Sequence, residues 1–405
     1  MVSITVPTPE QWDELRAVDA RAFGIGVVPE DAERQRAMFE LDRLRVAMDG
    51  STIVGVAGSY AMELTVPGPR QVPMGGVTWV GVESTHRRSG VARRLLEAVH
   101  EDSRLRGESV QGLWASEAGI YGRFGYSPAT RRRSVVVDRR GLGRLDTRRG
   151  DDGCELRVLT GPARQDHLAA TWQRWAHARS GEVSRSDAWW HRELARWDRN
   201  PSDSAPAVTV GCRDGYVVYR ITPRWDVPSG SGRPGHRLEV IEFVSVDPPA
   251  RRALWAHLLD MDLVAEIHLG DLLDEDPMPL MIDDARRVHT QGILDGLWLR
   301  VLDPVVALGS RRYATSDRLV VAVGERRFHL ETTPDAVHCE ELASQGHDSV
   351  DIDIDPVLLG AWLIGPVDLP RWLAAGQIRV RDAAMRDRLA ALVASVRPPV
   401  CTTHF

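Results

Sequence analysis

The stretch Trp79-Val80-Gly81-Val82-Glu83-Ser84-Thr85-His86-Arg87-Arg88-Ser89-Gly90-Val91-Ala92-Arg93-Arg94 constrains this chain more than any other. An apolar run enters a polar turn, the turn closes on a glycine, and an apolar-periodic segment continues to Leu105. The pattern predicts a strand over Val77–Val82 and a helix over Val91–Leu105 that starts close to Gly90. The first turn of a helix exposes N–H groups that lack an intrahelical partner and carry partial positive charge, which suits a diphosphate. Gly90 keeps a Cβ from standing between such an anion and the backbone. Arg87, Arg88 and Arg93 add charge at the rim, and Val80 and Val82 can offer backbone groups to an extended, amide-containing ligand arm. On this stretch alone, a solvated turn before a surface helix reads the same way.

Composition removes rival chemistries. All 51 basic residues are arginine, which excludes a Schiff-base lysine, a P-loop lysine and a lysine nucleophile. The formal charge of -6 and the acids that accompany clusters such as Arg131-Arg132-Arg133 give no basic face for nucleic acid. Cys154, Cys212, Cys339 and Cys401 are widely spaced, so neither a metal site nor a disulfide framework is expected. The histidines form no HExxH pair, and Asp351-Ile352-Asp353-Ile354-Asp355 reads as a strand with an acidic face rather than a calcium loop. Met1 to Pro7 lacks a signal-peptide pattern, and no apolar run reaches about 18 residues. The expectation is a cytoplasmic enzyme with no membrane and no nucleic-acid partner.

The coarse pattern is α/β. Val2 to Val6 reads as a strand and Pro9 to Phe23 as a helix opening at Thr8. Residues 44–48 and 52–57 read as a hairpin around Asp49-Gly50. Ser109 to Trp114 is a further strand, and Gly119 to Phe124 a short helix. From Arg131 to Gly153 the chain is polar, with Ser134 to Val137 still strand-like. A second segment runs to about 290 and holds the Pro/Gly/Ser-rich loop Pro223 to Pro234. A third starts near Gly292. Phe243-Val244-Ser245-Val246-Asp247 with Arg251-Arg252 echoes Trp79-Val80-Gly81-Val82-Glu83 with Arg87-Arg88 at the same spacing. The echo puts Leu254 where the first copy has Gly90, and Pro248-Pro249 in its turn. Chance and structural duplication both account for it; a duplication would leave a second copy without its ligand. Trp172, Trp175, Trp189 and Trp190 fit either a substrate channel or core packing.

The run Arg87-Arg88-Ser89-Gly90-Val91-Ala92 matches the Arg/Gln-x-x-Gly-x-Gly/Ala signature of GCN5-related N-acetyltransferases. Ser116-Glu117, Gly119-Ile120-Tyr121-Gly122-Arg123-Phe124-Gly125-Tyr126 and Pro128-Ala129-Thr130 resemble the enhanced-intracellular-survival (Eis) family of that superfamily. Thr85-His86-Arg87-Arg88, Asp295-Gly296-Leu297-Trp298-Leu299-Arg300 and an aromatic residue at the chain end fit the same family. The resemblance implies a catalytic acetyltransferase domain over 1–130, a degenerate copy over 131–290, and a sterol-carrier-protein-like α+β domain over 291–405. It implies acetyl-CoA as donor, held by Val80, Gly81, Val82, Arg88, Ser89, Gly90, Val91, Ala92, Arg93, Ser116 and Glu117, with no metal. Tyr121 would be the general acid and the Phe405 carboxylate the base, in a homohexamer.

The implied chemistry transfers an acetyl group to a small-molecule amine. A terminal carboxyl has a reference pKa of about 3.5 and an alkylammonium one near 10, so the carboxylate orients the amine and passes its proton on rather than keeping it. Acceptors with this resemblance include aminoglycosides, which need acids. Phe23-Gly24-Ile25-Gly26-Val27 has none, and His404 stands where some relatives place Glu, which points to a less charged or more apolar primary amine. A polyamine or protein-lysine acetyltransferase is the enzymatic alternative. A non-catalytic acyl-CoA- or hydrophobic-ligand-binding protein is the alternative of another class.

Overall fold

The computed structural model describes every residue except 1, 27, 69, 141–153, 200–203, 226–231, 233, 344–348 and 366–367. Val27, the centre of the Pro223–Pro234 loop and the second half of the polar stretch after Arg131 lie outside the described residues. The chain forms two compact units. One gathers Met1–Thr130, Arg179–Ala188 and Gly296–Phe405, the other Arg131–Ala178 and Trp189–Asp295.

The first unit opens with β1 (Ser3–Thr5), α1 (Trp12–Phe23), α2 (Ala32–Ala37), β2 (Leu44–Asp49), β3 (Thr52–Val66) and β4 (Arg70–Val82). Then come α3 (Val91–Leu105), β5 (Val110–Trp114), α4 (Ala118–Tyr121) and β6 (Ser127–Pro128). The Thr8 N–H donates to Gln11 Oε1 at 2.9 Å, a capping box on the turn that leads into α1. Gly24 ends that helix at φ 67. Gly50, at φ 61, turns β2 into β3. β3 and β4 are much longer than the runs 52–57 and 77–82. Their pairing continues to Val66 and Arg70 through Pro73, Gly75 and Gly76, residues whose composition hides a strand. Val46 packs in the cluster under α1 and the adjacent Ala47 in the cluster under α3, so the two helices cover opposite faces of the sheet.

The second unit contains β7 (Arg131–Asp138), β8 (Arg157–Val158), α5 (Pro162–His177) and α6 (Asp187–Asp198). It continues through β9 (Val208–Cys212), β10 (Gly215–Thr222), β11 (His236–Ser245), α7 (Pro248–Leu259), β12 (Val264–Leu269), α8 (Met278–Met281) and β13 (Val288–Asp295). β11 and β12 are parallel neighbours joined by α7, as β4 and β5 are parallel neighbours joined by α3. The echo at Phe243 is therefore a repeated βαβ unit. Its helix start is closed to anions: Asp247 caps α7 by accepting the Ala250 N–H at 2.8 Å, and Pro248 and Pro249 remove two donors. Trp172, Trp189 and Trp190 are buried against one another edge to face, which is core packing. Cys154 and Cys212 form a disulfide. The two residues, 58 apart in sequence, are brought together by the fold as a single bridge rather than a framework, a pairing that the cysteine spacing did not announce.

Past Gly296 the chain returns to the first unit. β14 (Leu297–Val301) inserts between β5 and β6, antiparallel to both, and completes the order β1-β2-β3-β4-β5-β14-β6. Leu297 and Leu299 pack on one face of the sheet and Trp298 on the other. The remaining elements are α9 (Pro304–Ser310), β15 (Asp317–Val323), β16 (Arg326–Thr332), β17 (Val337–Glu341), β18 (Ile352–Ile354), α10 (Leu359–Ile364), α11 (Leu369–Ala374), β19 (Ile378–Val380) and α12 (Ala383–Leu392). They build a five-stranded sheet, β17-β16-β15-β18-β19, around Phe328, Leu330, Trp362 and Leu389. The acidic face of β18 is neutralised by arginines, Arg379 on Asp353 and Arg381 on Asp351, each at 2.6 Å.

Candidate active site

β4 and β5 pair over only three residues, from Met74↔Val110 to Gly76↔Gly112, and then separate. A β-bulge marks the split: Thr78 pairs with Gly58 and Gly81 with Val56, so Trp79 and Val80 both face Ala57. Trp79 adopts φ 55, a backbone cost of about 1–3 kcal/mol for a bulky residue. Its indole stacks on Trp12 at 5.5 Å and meets Phe39 at 4.7 Å, packing that holds the left-handed turn in place. A cavity of about 270 Å³ fills the gap between the strands. Val77 to Val80 form one wall, and Leu113 and Trp114 the other. Ser116 and Tyr121 line it from the α4 side, Asp19, Phe23 and Ile25 from α1 and its end, and Phe405 from the chain terminus.

The phosphate-suited junction is open. Gly90 is the N-cap of α3 at φ 84, with no side-chain cap, and the first helical bond runs from the Arg94 N–H to the Gly90 carbonyl at 3.1 Å. The N–H groups of Val91, Ala92 and Arg93 thus lack intrahelical acceptors. A Cβ on Gly90 would meet nothing within 4 Å, so glycine is demanded there by φ, and the space above the loop is free for a diphosphate. Arg88 is also left-handed, at φ 62, while the Ser89 hydroxyl turns inward to the His86 carbonyl. Arg87 corrects the rim reading: its guanidinium reaches the carbonyls of Ala22 at 3.2 Å and Val82 at 3.4 Å and ties the turn to α1. Arg93 lies over the Phe124 ring at 5.8 Å. Val91 is buried, so it offers a backbone group only. A Cβ on Gly81 would stand 2.9 Å from that of Ala22, so this glycine admits α1 against the bulge. Val80 lines the cavity, whereas Val82 packs under α3.

Tyr121 is 5 % exposed. Burial raises its pKa, a hydrogen bond with Ser116 opposes the rise, and the negative charge of Glu117 adds to it. The phenol is therefore neutral and able to donate. Neighbouring Tyr126 is fully buried and donates to Gln111 Oε1 at 2.8 Å.

The terminal segment is held by a group that no motif announced. Residues 181–184 dock on β3: Gly181 donates to the Thr65 carbonyl, Thr65 to the Glu182 carbonyl and Ser184 to the Glu63 carbonyl, each at 2.8 Å. This places the Glu182 carboxylate, 0 % exposed, beneath the tail. It accepts the N–H and hydroxyl of Thr402, both at 2.9 Å, and the N–H and hydroxyl of Thr403, at 3.3 and 2.7 Å. Arg185 donates to the Thr403 hydroxyl at 2.9 Å and the Trp114 indole N–H to the Thr403 carbonyl at 2.9 Å. His404 stacks on Trp114 with ring centroids 3.9 Å apart. The Phe405 ring rests on Gly76, where an added Cβ would lie 3.1 Å from it. Glu182, Trp114 and Asp19 all escaped sequence reasoning.

The acetyltransferase (GNAT) domain family matches residues 3–129, and a second GNAT domain family matches residues 181–301. The chain is 31% identical over 416 residues to the N-acetyltransferase Eis of Mycobacterium bovis (strain BCG / Pasteur 1173P2), with 100% of both chains covered. The chain belongs to the Eis family of N-acetyltransferases. An uncharacterised N-acetyltransferase of Streptomyces avermitilis is 30% identical, with 98% of each chain covered. The crystal structure of Eis1 from Mycobacterium abscessus matches along the full length of both chains, with a TM-score of 0.85 and 31% identity. A GCN5-related N-acetyltransferase from Anabaena variabilis shares the fold at a TM-score of 0.82 and 14% identity. This Eis-type chain is thus an acetyltransferase with two GNAT domains and a third sheet region, and acetyl-CoA is the donor its family uses. Among the described residues no group of three or more His, Cys, Asp or Glu could hold a metal ion, and no helix is long and apolar enough to cross a membrane.

Proposed function

We propose that this enzyme acetylates primary amines by direct transfer in the cavity between β4 and β5. Tyr121 is the general acid that protonates the departing thiolate, and the Phe405 carboxylate is the base that receives the acceptor ammonium. The observation that carries the reading is that Tyr121 and Phe405, 284 positions apart by subtraction of their numbers, line one cavity at the mouth of the splayed strands. The α3 junction, Arg88 to Arg93, would hold the diphosphate of acetyl-CoA, the exposed N–H groups supplying the donors. Val80 to Val82 and Ser116-Glu117 would take the pantetheine arm and thioester. Phe23, Ile25, Trp79 and Leu113 share the lining with Asp19, Thr78, Ser116 and Tyr121, and with Asp19 the one acid among them the mixture favours a small amine of low charge over an aminoglycoside.

We read the sterol-carrier-like character of the last sheet region, the homohexameric state and a cytoplasmic location from the family resemblance. The deciding experiment is a thiol-release screen with acetyl-CoA against phenethylamine, spermidine, an aminoglycoside and a lysine peptide. Turnover is expected with phenethylamine first. Acetylation of a folded protein alone would favour the protein-lysine reading, and acyl-CoA binding with no release from any amine would favour a non-catalytic carrier.

A further inference from the structure

Asp19 sits on α1 one helical turn before Phe23 and lines the same cavity as Tyr121 and Phe405. It is 8 % exposed, and its Oδ1 has no hydrogen-bond partner among the described residues. A buried carboxylate is ordinarily paired or bonded, and one left bare in the wall of a cavity awaits either a proton or a cation. We propose that Asp19 is a second catalytic base, which takes from the acceptor ammonium the proton that the Phe405 carboxylate attracts but cannot retain. This rests on the amine-acetylation reading and completes its proton path.

Among the described residues no ion pair reaches Asp19. On its own helix Arg16 bonds to Gln35 and the Val28 carbonyl, and Arg21 pairs with Glu83 at 2.6 Å. The charged residues of β3 and β4, the strands α1 packs on, are Glu63 and Arg70, which lie at the far end of the ladder from Gly81. Gly81 is where the carboxylate approaches the sheet, its Oδ1 3.8 Å from an ideal Cβ there. Across the cavity are Tyr121, whose phenol is neutral, and the terminal residue Phe405. Burial pushes the Asp19 pKa up to about 7, far closer to an amine than a terminal carboxyl at its reference value of about 3.5.

The step balances. The ammonium N–H bond breaks and its proton passes to Asp19; the freed lone pair forms the C–N bond to the acetyl carbonyl carbon; the C–S bond breaks; and the thiolate takes the Tyr121 proton. The second nitrogen proton restores Tyr121, and Asp19 returns its own to water.

The test is the pH dependence of kcat/KM for phenethylamine, spermidine and an aminoglycoside, on wild type and Asp19→Asn, with acetyl-CoA affinity measured by calorimetry. Wild type is expected to lose activity tenfold per pH unit below about 7. The variant should lose that limb, fall at least about 100-fold at pH 8, and bind acetyl-CoA within about twofold of wild type. A limb that persists in Asp19→Asn, or a variant of full activity, overturns the proposal. Carbon-13 spectra of aspartate-labelled protein provide a readout without turnover. One carboxyl should titrate near pH 7, vanish in Asp19→Asn and shift to lower pH when phenethylamine is added, and its absence in wild type also overturns the proposal. Wild type inert toward every amine would instead sink the function on which it rests.

Discussion

Glu182 Oε1 accepts the hydroxyl of Thr403 at 2.7 Å, two residues from the terminal phenylalanine. A buried carboxylate from the middle of the chain thereby sets where the last residue lies. Glu182→Leu would leave the Thr402 and Thr403 N–H and hydroxyl groups without their acceptor, a cost of about 1–3 kcal/mol per buried group that does not relax. The tail would detach rather than bear it. We expect kcat to fall about 10- to 100-fold, with acetyl-CoA affinity, read by calorimetry, unchanged because the α3 junction is untouched. Equal losses in kcat and in acetyl-CoA affinity would mean general unfolding instead.

Extending the chain past Phe405 converts its carboxylate into a neutral amide and crowds the cavity. A two-residue extension should abolish thiol release while preserving acetyl-CoA binding, and full turnover by such a protein would remove the carboxylate from the mechanism.

Tyr121→Phe deletes one hydroxyl from a buried ring. Its kcat should fall by about 10²- to 10³-fold at unchanged acetyl-CoA affinity and melting temperature, measured side by side.

Gly90→Val forces a β-branched residue into φ 84, at a cost of about 1–3 kcal/mol. The loop would change shape, and KM for acetyl-CoA should rise at least tenfold while the acceptor KM moves little in steady-state kinetics.

Asp19 also makes stability depend on pH. Its folded pKa of about 7 exceeds the unfolded value, so the folded state binds the proton more tightly. Below about pH 4 the group is neutral in both states and costs nothing. As pH rises from about 4 to 7 the unfolded chain ionises first and stability declines, and above 7 the full penalty applies, with a ceiling of about 4 kcal/mol. Asp19→Asn should melt close to wild type at pH 4 and several degrees higher at pH 8, by calorimetry. A uniform offset across pH would place the raised pKa elsewhere.

The parts of the site legible in sequence are those built from neighbours. The strand-turn-helix junction at Gly90 is a local pattern, and Tyr121 stood out through the resemblance of its short segment to the family. Asp19 looked like any polar position on an amphipathic helix, because what buries it is the close approach of α1 at Gly81, a tertiary fact. Arg87 carried the right charge for a rim and spent it on two backbone carbonyls. Glu182 lies in a stretch with no motif, and its importance depends on residues more than 200 positions later. β14 was read only as a family signature; nothing in Leu297–Val301 says that its partner is β5.

That inserted strand bears on how the protein is made. Until residue 297 leaves the ribosome, β5 is an open edge with Gln111 to Trp114 offering unpaired backbone groups. The nascent first domain must therefore wait, nearly formed and exposed to mispairing, while more than 150 further residues are synthesised. A gene cut after residue 130 would encode that waiting state permanently.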